Sequence, residues 1–367
     1  MLLLKVDVSL NRTALAEGAR NLLENCIGVH RGERVLIVRE DASLGYFDET
    51  APYAVAEEAQ SLGAFARVME APRIDVPEDF PPAVLQAMDE ADHTVFFARL
   101  GDQIRFSDLP QGRSQAMSYA PDARLLSSDY GRLPHQLMCE LKDEMEARFV
   151  PGARWRITCH GGTDLSGTFE KIETPSVGEV TLHRFPLTTF RPVTCANASG
   201  KVALANWLIG TGSRNYEPFA HMIEELSFAL VEEGRINGFE GPAESVENIK
   251  AHYDHVARLF GIDGMVVHSW HAGLHPQAFY PDNASDNLER WGGVAFANPR
   301  YLHFHTCGNY APGEICWSCI DPTVEIDGVV LWQDGHCTLF DEPEIQALFA
   351  KYPGFEDAWK LRTDIGL

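Results

Sequence analysis

The sequence predicts an α/β protein in two parts. An N-terminal doubly wound parallel-sheet domain spans residues 1–150, and a C-terminal α+β domain with mostly antiparallel strands spans 151–367. Three observations predict it. The chain has 367 residues, more than one ordinary core holds. Short apolar runs alternate with helical periodicity through the first half, the pattern of strands joined by crossover helices. Beyond Val150-Pro-Gly152, strands instead follow one another between Gly/Pro turns.

Met1 to Leu10 alternates Val6, Val8 and Leu10 with Asp7 and Ser9 and reads as a short strand. Ala14, Leu15, Ala19, Leu22, Leu23 and Ile27 recur at helical spacing over 14–29. A turn at 30–33 leads into Val35 to Val38, an apolar run that suits a parallel strand buried on both faces. A helix over 51–62, a strand at Phe65 to Met69, a helix at 82–89, a strand at Thr94 to Phe97 and a helix at 133–147 complete this half. Strands at 154–159, 179–185 and 201–209 open the second half. The long helix over 244–260 turns Val246, Ile249, His252, Val256, Leu259 and Phe260 inward. Strand-rich stretches at 264–275 and 300–308, a ribbon at 323–340 and a helix near 343–351 end the chain.

Apolar residues make up 45% and charged residues 23%, an ordinary globular balance. Acids outnumber bases 53 to 30, and a net charge of −23 repels phosphate backbones and anionic lipid. Nucleic acid and membrane surfaces are therefore not expected partners. No apolar run approaches the roughly 20 residues of a membrane helix. The N-terminus lacks the basic and apolar regions of a signal peptide, so a cytoplasmic location is expected. Eight cysteines spread through such a chain read as buried thiols, not as a disulfide framework. No phosphate-binding glycine loop and no G-x-S-x-G elbow occurs.

The histidines carry the chemical signal. His303 and His305 are two apart, which places both rings on one face of a strand, a good ligand geometry. His268, His271 and His275 share one segment. On a regular strand His271 and His275 share a face and His268 points away unless a bulge intervenes. Cys316-Trp-Ser-Cys319, with Cys307 and the two histidines upstream, offers a mixed sulfur and nitrogen zinc site. A single C-x-x-C equally reads as packing, and plain buried cysteines are the favoured reading.

Several motifs in order resemble the aminopeptidase T/S family, which also includes iron-dependent dihydroxypyridine ring-opening dioxygenases. They are Gly28-Val-His-Arg-Gly-Glu-Arg-Val-Leu-Ile37, Gly162-Thr-Asp-Leu165, Pro175-Ser-Val-Gly-Glu-Val180, Gly200-Lys-Val-Ala203, Ala272-Gly-Leu-His-Pro276, and the pair Ile326-Asp-Gly328 and Asp334-Gly335. The resemblance implies that Glu179 stands at the first metal carboxylate, His303 at a metal histidine and Tyr310 at a catalytic tyrosine. It implies a homodimer and a cleft for a small molecule or short peptide. The family's second carboxylate falls near Ser269, and its H-x-D pair falls on Cys316-Trp-Ser318 or on Cys319-Ile-Asp321. Two metal ions about 3.5–4 Å apart need bridging and terminal carboxylates, so a dinuclear aminopeptidase is not expected.

Two readings follow. One is a mononuclear metal enzyme, with Fe(II) or Zn(II) held among His271, His303, Asp321 and Cys319. Glu179, Tyr310 and His305 then act in catalysis, while His268, His275 and Trp317 meet the substrate. The other is a metal-free relative that binds a peptide or small molecule for a partner biosynthetic enzyme.

Overall fold

The computed structural model describes residues 11–105, 114–171, 182–310 and 312–367. The first sheet is built from β1 (Arg34–Arg39), β2 (Phe65–Glu70), β3 (His93–Phe97) and β4 (Ser114–Ser118). The second begins with β5 (Arg154–Thr158) and β6 (Asp164–Thr168). The next strand, β7 (His183–Phe185), returns to the first sheet, whose order is β2-β1-β3-β4-β7 with every neighbour parallel. Parallel neighbours require crossovers, and the helices Thr50–Ser61 and Pro82–Glu90 supply two of them.

The remaining strands are β8 (Val193–Thr194), β9 (Ser199–Gly210), β10 (Ala220–Glu232), β11 (Arg235–Glu240), β12 (Val267–Ala272), β13 (Tyr301–Thr306), β14 (Ile315–Ile320), β15 (Thr323–Ile326), β16 (Val329–Gln333) and β17 (His336–Cys337). They run antiparallel in the order β17-β16-β15-β5-β6-β9-β14-β13-β12-β8, with β10 and β11 branching from β9. The fold class is the one the sequence predicts.

Local chemistry accounts for the details. The Asn11 side chain accepts from the Thr13 and Ala14 amides and starts the first helix. Asp327-Gly328 and Asp334-Gly335 both take left-handed backbone at φ 47° and 82°, and at 49° and 81°, which makes the tight turns of the C-terminal ribbon. In the helix Ala243–Phe260, Ile249, His252, Tyr253 and Val256 are buried, while Leu259 is 53% exposed. The inward stripe therefore includes Tyr253 and leaves out Leu259, with Val246 and Phe260 partly buried against the core. Of the strand expected at 179–185, β7 covers only the end and belongs to the first sheet; the expected strand over Met1 to Leu10 lies outside the described residues. The β10–β11 hairpin was not expected, because its first strand alternates little and leaves Met222 and Leu226 exposed.

Two apolar cores result. One packs around the first sheet and takes in Trp291, Val294 and Tyr301; the other fills the second sheet around Trp155, Trp270, Trp317 and Trp332. No helix among the described residues is long and apolar enough to cross a membrane.

Candidate metal centre

The centre is made by one antiparallel strand pair. In the register of β12 and β13, His271 lies directly opposite His303, and His305 lies opposite Ser269. Cross-strand partners and residues two apart share a face, so His271, His303 and His305 converge. Gly273 follows the end of β12, where the chain presses closely on its neighbour. A Cβ there would sit 2.2 Å from the Asn298 carbonyl oxygen. Only glycine allows that approach. Ring centroids are 4.0 Å apart for His271 and His303, 4.9 Å for His271 and His305, and 4.8 Å for His303 and His305. Nε2 of His271 is 3.3 Å from Nε2 of His305, and one nitrogen of each ring lies within 4.8 Å of the others.

The three rings are 2–6% exposed. Burial disfavours the imidazolium and holds all three well below the usual histidine range, His303 down to about 3, with Arg184 and Arg105 pushing the same way. Neutral imidazoles with available lone pairs are the form that binds a metal. Nδ1 of His303 and of His305 has no hydrogen-bond partner among the described residues. Buried polar atoms seldom stay unsatisfied without a functional reason. Convergent neutral nitrogens with orphaned atoms fit one divalent ion of the kind imidazole favours. Among the described residues no carboxylate joins the group, so they do not fit two.

The cluster lies on the wall of a cavity of about 1020 Å³. His268, Ser269 and Cys316 continue the same wall. The facing wall comes from the carboxyl ends of the parallel strands: Tyr46 follows β1, Arg105 lies beyond β3 and Tyr119 follows β4, with Arg184 from β7 beside them. Open parallel sheets bind ligands at that edge because the loops diverge there. Apolar surface from Phe149, Phe169 and Phe190 lines another side; the first two rings stack at 5.0 Å and Phe190 meets Phe149 edge-on at 4.9 Å.

The structure separates the residues expected at the site. His271, His303 and His305 come together, and His268 joins their cavity because a register shift between Val267 and Ser269 turns it inward; its Nδ1 is 2.9 Å from Ser269 Oγ. Tyr310 lines the cavity, hydrogen-bonded to the buried Glu314 and to Arg214. Glu179 lies outside the described residues.

Four expectations are corrected. β12 stops at Ala272, so His275 does not share the face of His271; it is fully buried against Tyr130 at 4.8 Å, and its Nδ1 accepts from the Gln277 amide. Trp317 and Cys319 alternate away from Cys316 and Ser318 into the core. Trp317 donates to Tyr253 at 2.6 Å, and Cys319 shares a hydrogen bond with Cys159. Asp321 forms a bidentate pair with Arg300 at 2.6 and 2.7 Å and does not line the cavity. Of the two candidate stretches, Cys316 and Ser318 are the residues that lie opposite His305 and His303 on the site face. Asp321→Asn is expected to leave metal content unchanged and to cost about 1 kcal/mol or less, since the pair is partly exposed. Metal analysis and a urea titration check both; metal lost from this variant would restore Asp321 as a ligand.

Sequence reasoning missed Arg105, Arg184, Tyr119 and Glu314. Single basic or acidic residues have no local signature; the meeting of the two sheets brings Arg105, Arg184 and Tyr119 to one cavity, and Glu314 lies buried behind Tyr310.

No protein-family model matches the sequence, and no curated protein matches it. Among solved structures, 2,5-dihydroxypyridine dioxygenase from Pseudomonas putida KT2440 superposes with a TM-score of 0.61 at 16% identity, covering 89% of this chain and 97% of that one. AmpT from Thermus thermophilus gives a TM-score of 0.49 at 12% identity, covering 89% of this chain and 99% of that one. The first likeness shows that this chain has the fold of that dioxygenase.

Proposed function

We propose that this chain is a mononuclear, iron-dependent enzyme that uses oxygen to open an electron-rich ring in a small substrate. The observation that carries the proposal is the trio of neutral, buried imidazoles converging on the wall of a substrate-sized cavity. The shared fold with a ring-opening dioxygenase motivates the reaction class. His271, His303 and His305 would hold the ion, which supplies Lewis acidity and open coordination positions when bound.

The chain's own groups arrange the rest. His305, read from the sequence as a proton carrier, stands inside the cluster, which leaves His268 as the cavity histidine able to move a proton. Burial lowers its pKa and keeps it neutral and able to accept. Tyr310 is held protonated because burial and the neighbouring Glu314 raise its pKa. Its hydroxyl is fixed by Arg214 at 2.7 Å and by Glu314. The apolar side formed by Phe149, Phe169 and Phe190 suits a flat ring and excludes water from one face.

Protein purified without oxygen and loaded with Fe(II) is expected to hold a single ion per chain. In an oxygen electrode it should consume oxygen when given 2,5-dihydroxypyridine or a related dihydroxylated ring, and the zinc-loaded protein should not. Protein that binds no metal but still binds such rings would replace this reading with the metal-free binder.

A further inference from the structure

We propose that the cavity is built for a substrate bearing a carboxylate on an aromatic frame, with Arg184, supported by Arg105, holding that carboxylate beside the histidine cluster. The proposal deepens the reading of the cavity as a substrate site and rests on it for which end of the ligand reacts. The argument begins with Arg184 on β7. One of its terminal nitrogens donates to Thr189 Oγ1 at 2.7 Å, while its Nε has no hydrogen-bond partner among the described residues. Nor does Arg184 form an ion pair with any described carboxylate, although the chain holds far more acids than bases. Arg184 is half-buried on the cavity wall with its Nε shielded, so part of its guanidinium faces the cavity without a protein anion opposite it, where an anionic ligand can pair with it. Its planar fork suits a carboxylate in bidentate geometry.

The charges around it sharpen the case. Arg105 is matched by Asp102, and both bond to the Tyr119 hydroxyl. Glu289, which also lines the cavity, is tied to Arg99 and Arg73. The three histidines carry no negative charge whether protonated or not, so they do not offset Arg184. Among the described residues Arg184 is thus the guanidinium against the cluster that has no ion pair; Lys171 and Arg191 also line the cavity, and a metal would add to the positive field. In a chain of net charge −23, this makes the cavity a local positive spot that draws anions inward. The stacked Phe149 and Phe169 with Phe190 supply the apolar surface for an aromatic frame.

Benzoate and its neutral isostere benzamide test the proposal by calorimetry on metal-free protein, which removes direct coordination as a cause. Benzoate is expected to bind about tenfold or more tightly than benzamide, the margin of a charge-assisted pair. Arg184→Met should abolish the preference while still taking up metal, which shows the histidine cluster intact. Arg184→Lys should keep part of it. Equal affinities in the natural protein overturn the proposal whatever the variants do, and so does a preference that survives Arg184→Met. If Arg184→Met fails to take up metal, Arg184→Lys decides: an undiminished preference there rejects the bidentate contact. Protein that prefers benzoate but never binds metal would retire the enzyme reading and leave the carboxylate site standing. Metal uptake without the preference would do the reverse.

Discussion

His303→Ala is expected to abolish stable metal uptake. His303 stands opposite His271 across the strand pair and two residues from His305, so the three rings define one coordination position. With no described carboxylate in the group, the remaining two imidazoles lack a third ligand within it. Loss of outer-shell partners alone weakens metal sites 10–100-fold, so removal of a ligand should exceed about a hundredfold. Metal analysis after dialysis checks this, with Cys319→Ala as a control expected to retain the ion, since Cys319 faces the core. An alanine variant that still holds stoichiometric metal would sink the proposed centre. Removing the ring also removes a buried unsatisfied nitrogen, so the metal-free variant should lose less stability than truncation of an apolar core ring.

Acid should unfold the metal-free protein well above the pH at which carboxylates are protonated. Burial depresses His135 and His252 to about 4 and His275 and His303 to about 3, and it holds His271 and His305 well below the ordinary value. In the unfolded chain each titrates near 6.5. The unfolded state therefore binds more protons below that pH, so the stability these groups contribute is complete above about pH 6.5 and is lost as pH falls toward their folded values. At pH 5 each of the four rings with folded values of about 3 to 4 costs about 2 kcal/mol against its neutral-pH contribution, and His271 and His305 act in the same direction. Asp48, raised to about 6 by burial, and Glu289 and Glu314, also raised by burial, oppose this because the native state takes their protons first. Three acids against six histidines leave a net loss comparable with the 5–15 kcal/mol stability of a typical protein. The urea midpoint should therefore fall steeply between pH 6.5 and 4.5. Bound metal should move the fall to lower pH by protecting three of the six rings. A midpoint that stays level from pH 7 to 5 would show that these histidines are solvated.

Much of the fold was legible because it depends on local periodicity. Leu15, Ala19, Leu22 and Leu23 mark a helix face that is buried, and Val35 to Val38 mark a strand covered on both sides. The branch at β10 and β11 was not legible, since a strand with exposed Met222 and Leu226 lacks the alternation that reveals a half-buried one. In the site, the two-residue spacing of His303 and His305 was enough to place both rings on one face. The end of β12 at Ala272 was not readable from spacing, and His275 was misplaced for that reason.

The sequence alone determined the element types, the pairing of His303 with His305, and the acidic surface, because each follows from neighbours in the chain or from a sum over it. Only the tertiary structure decided that His271 completes the cluster while Asp321 does not. Strand register sets the first, and the Arg300 ion pair sets the second. It alone also brought Arg184 and Arg105 against the histidines, because contacts between two sheets depend on how their faces pack, and no local pattern encodes that.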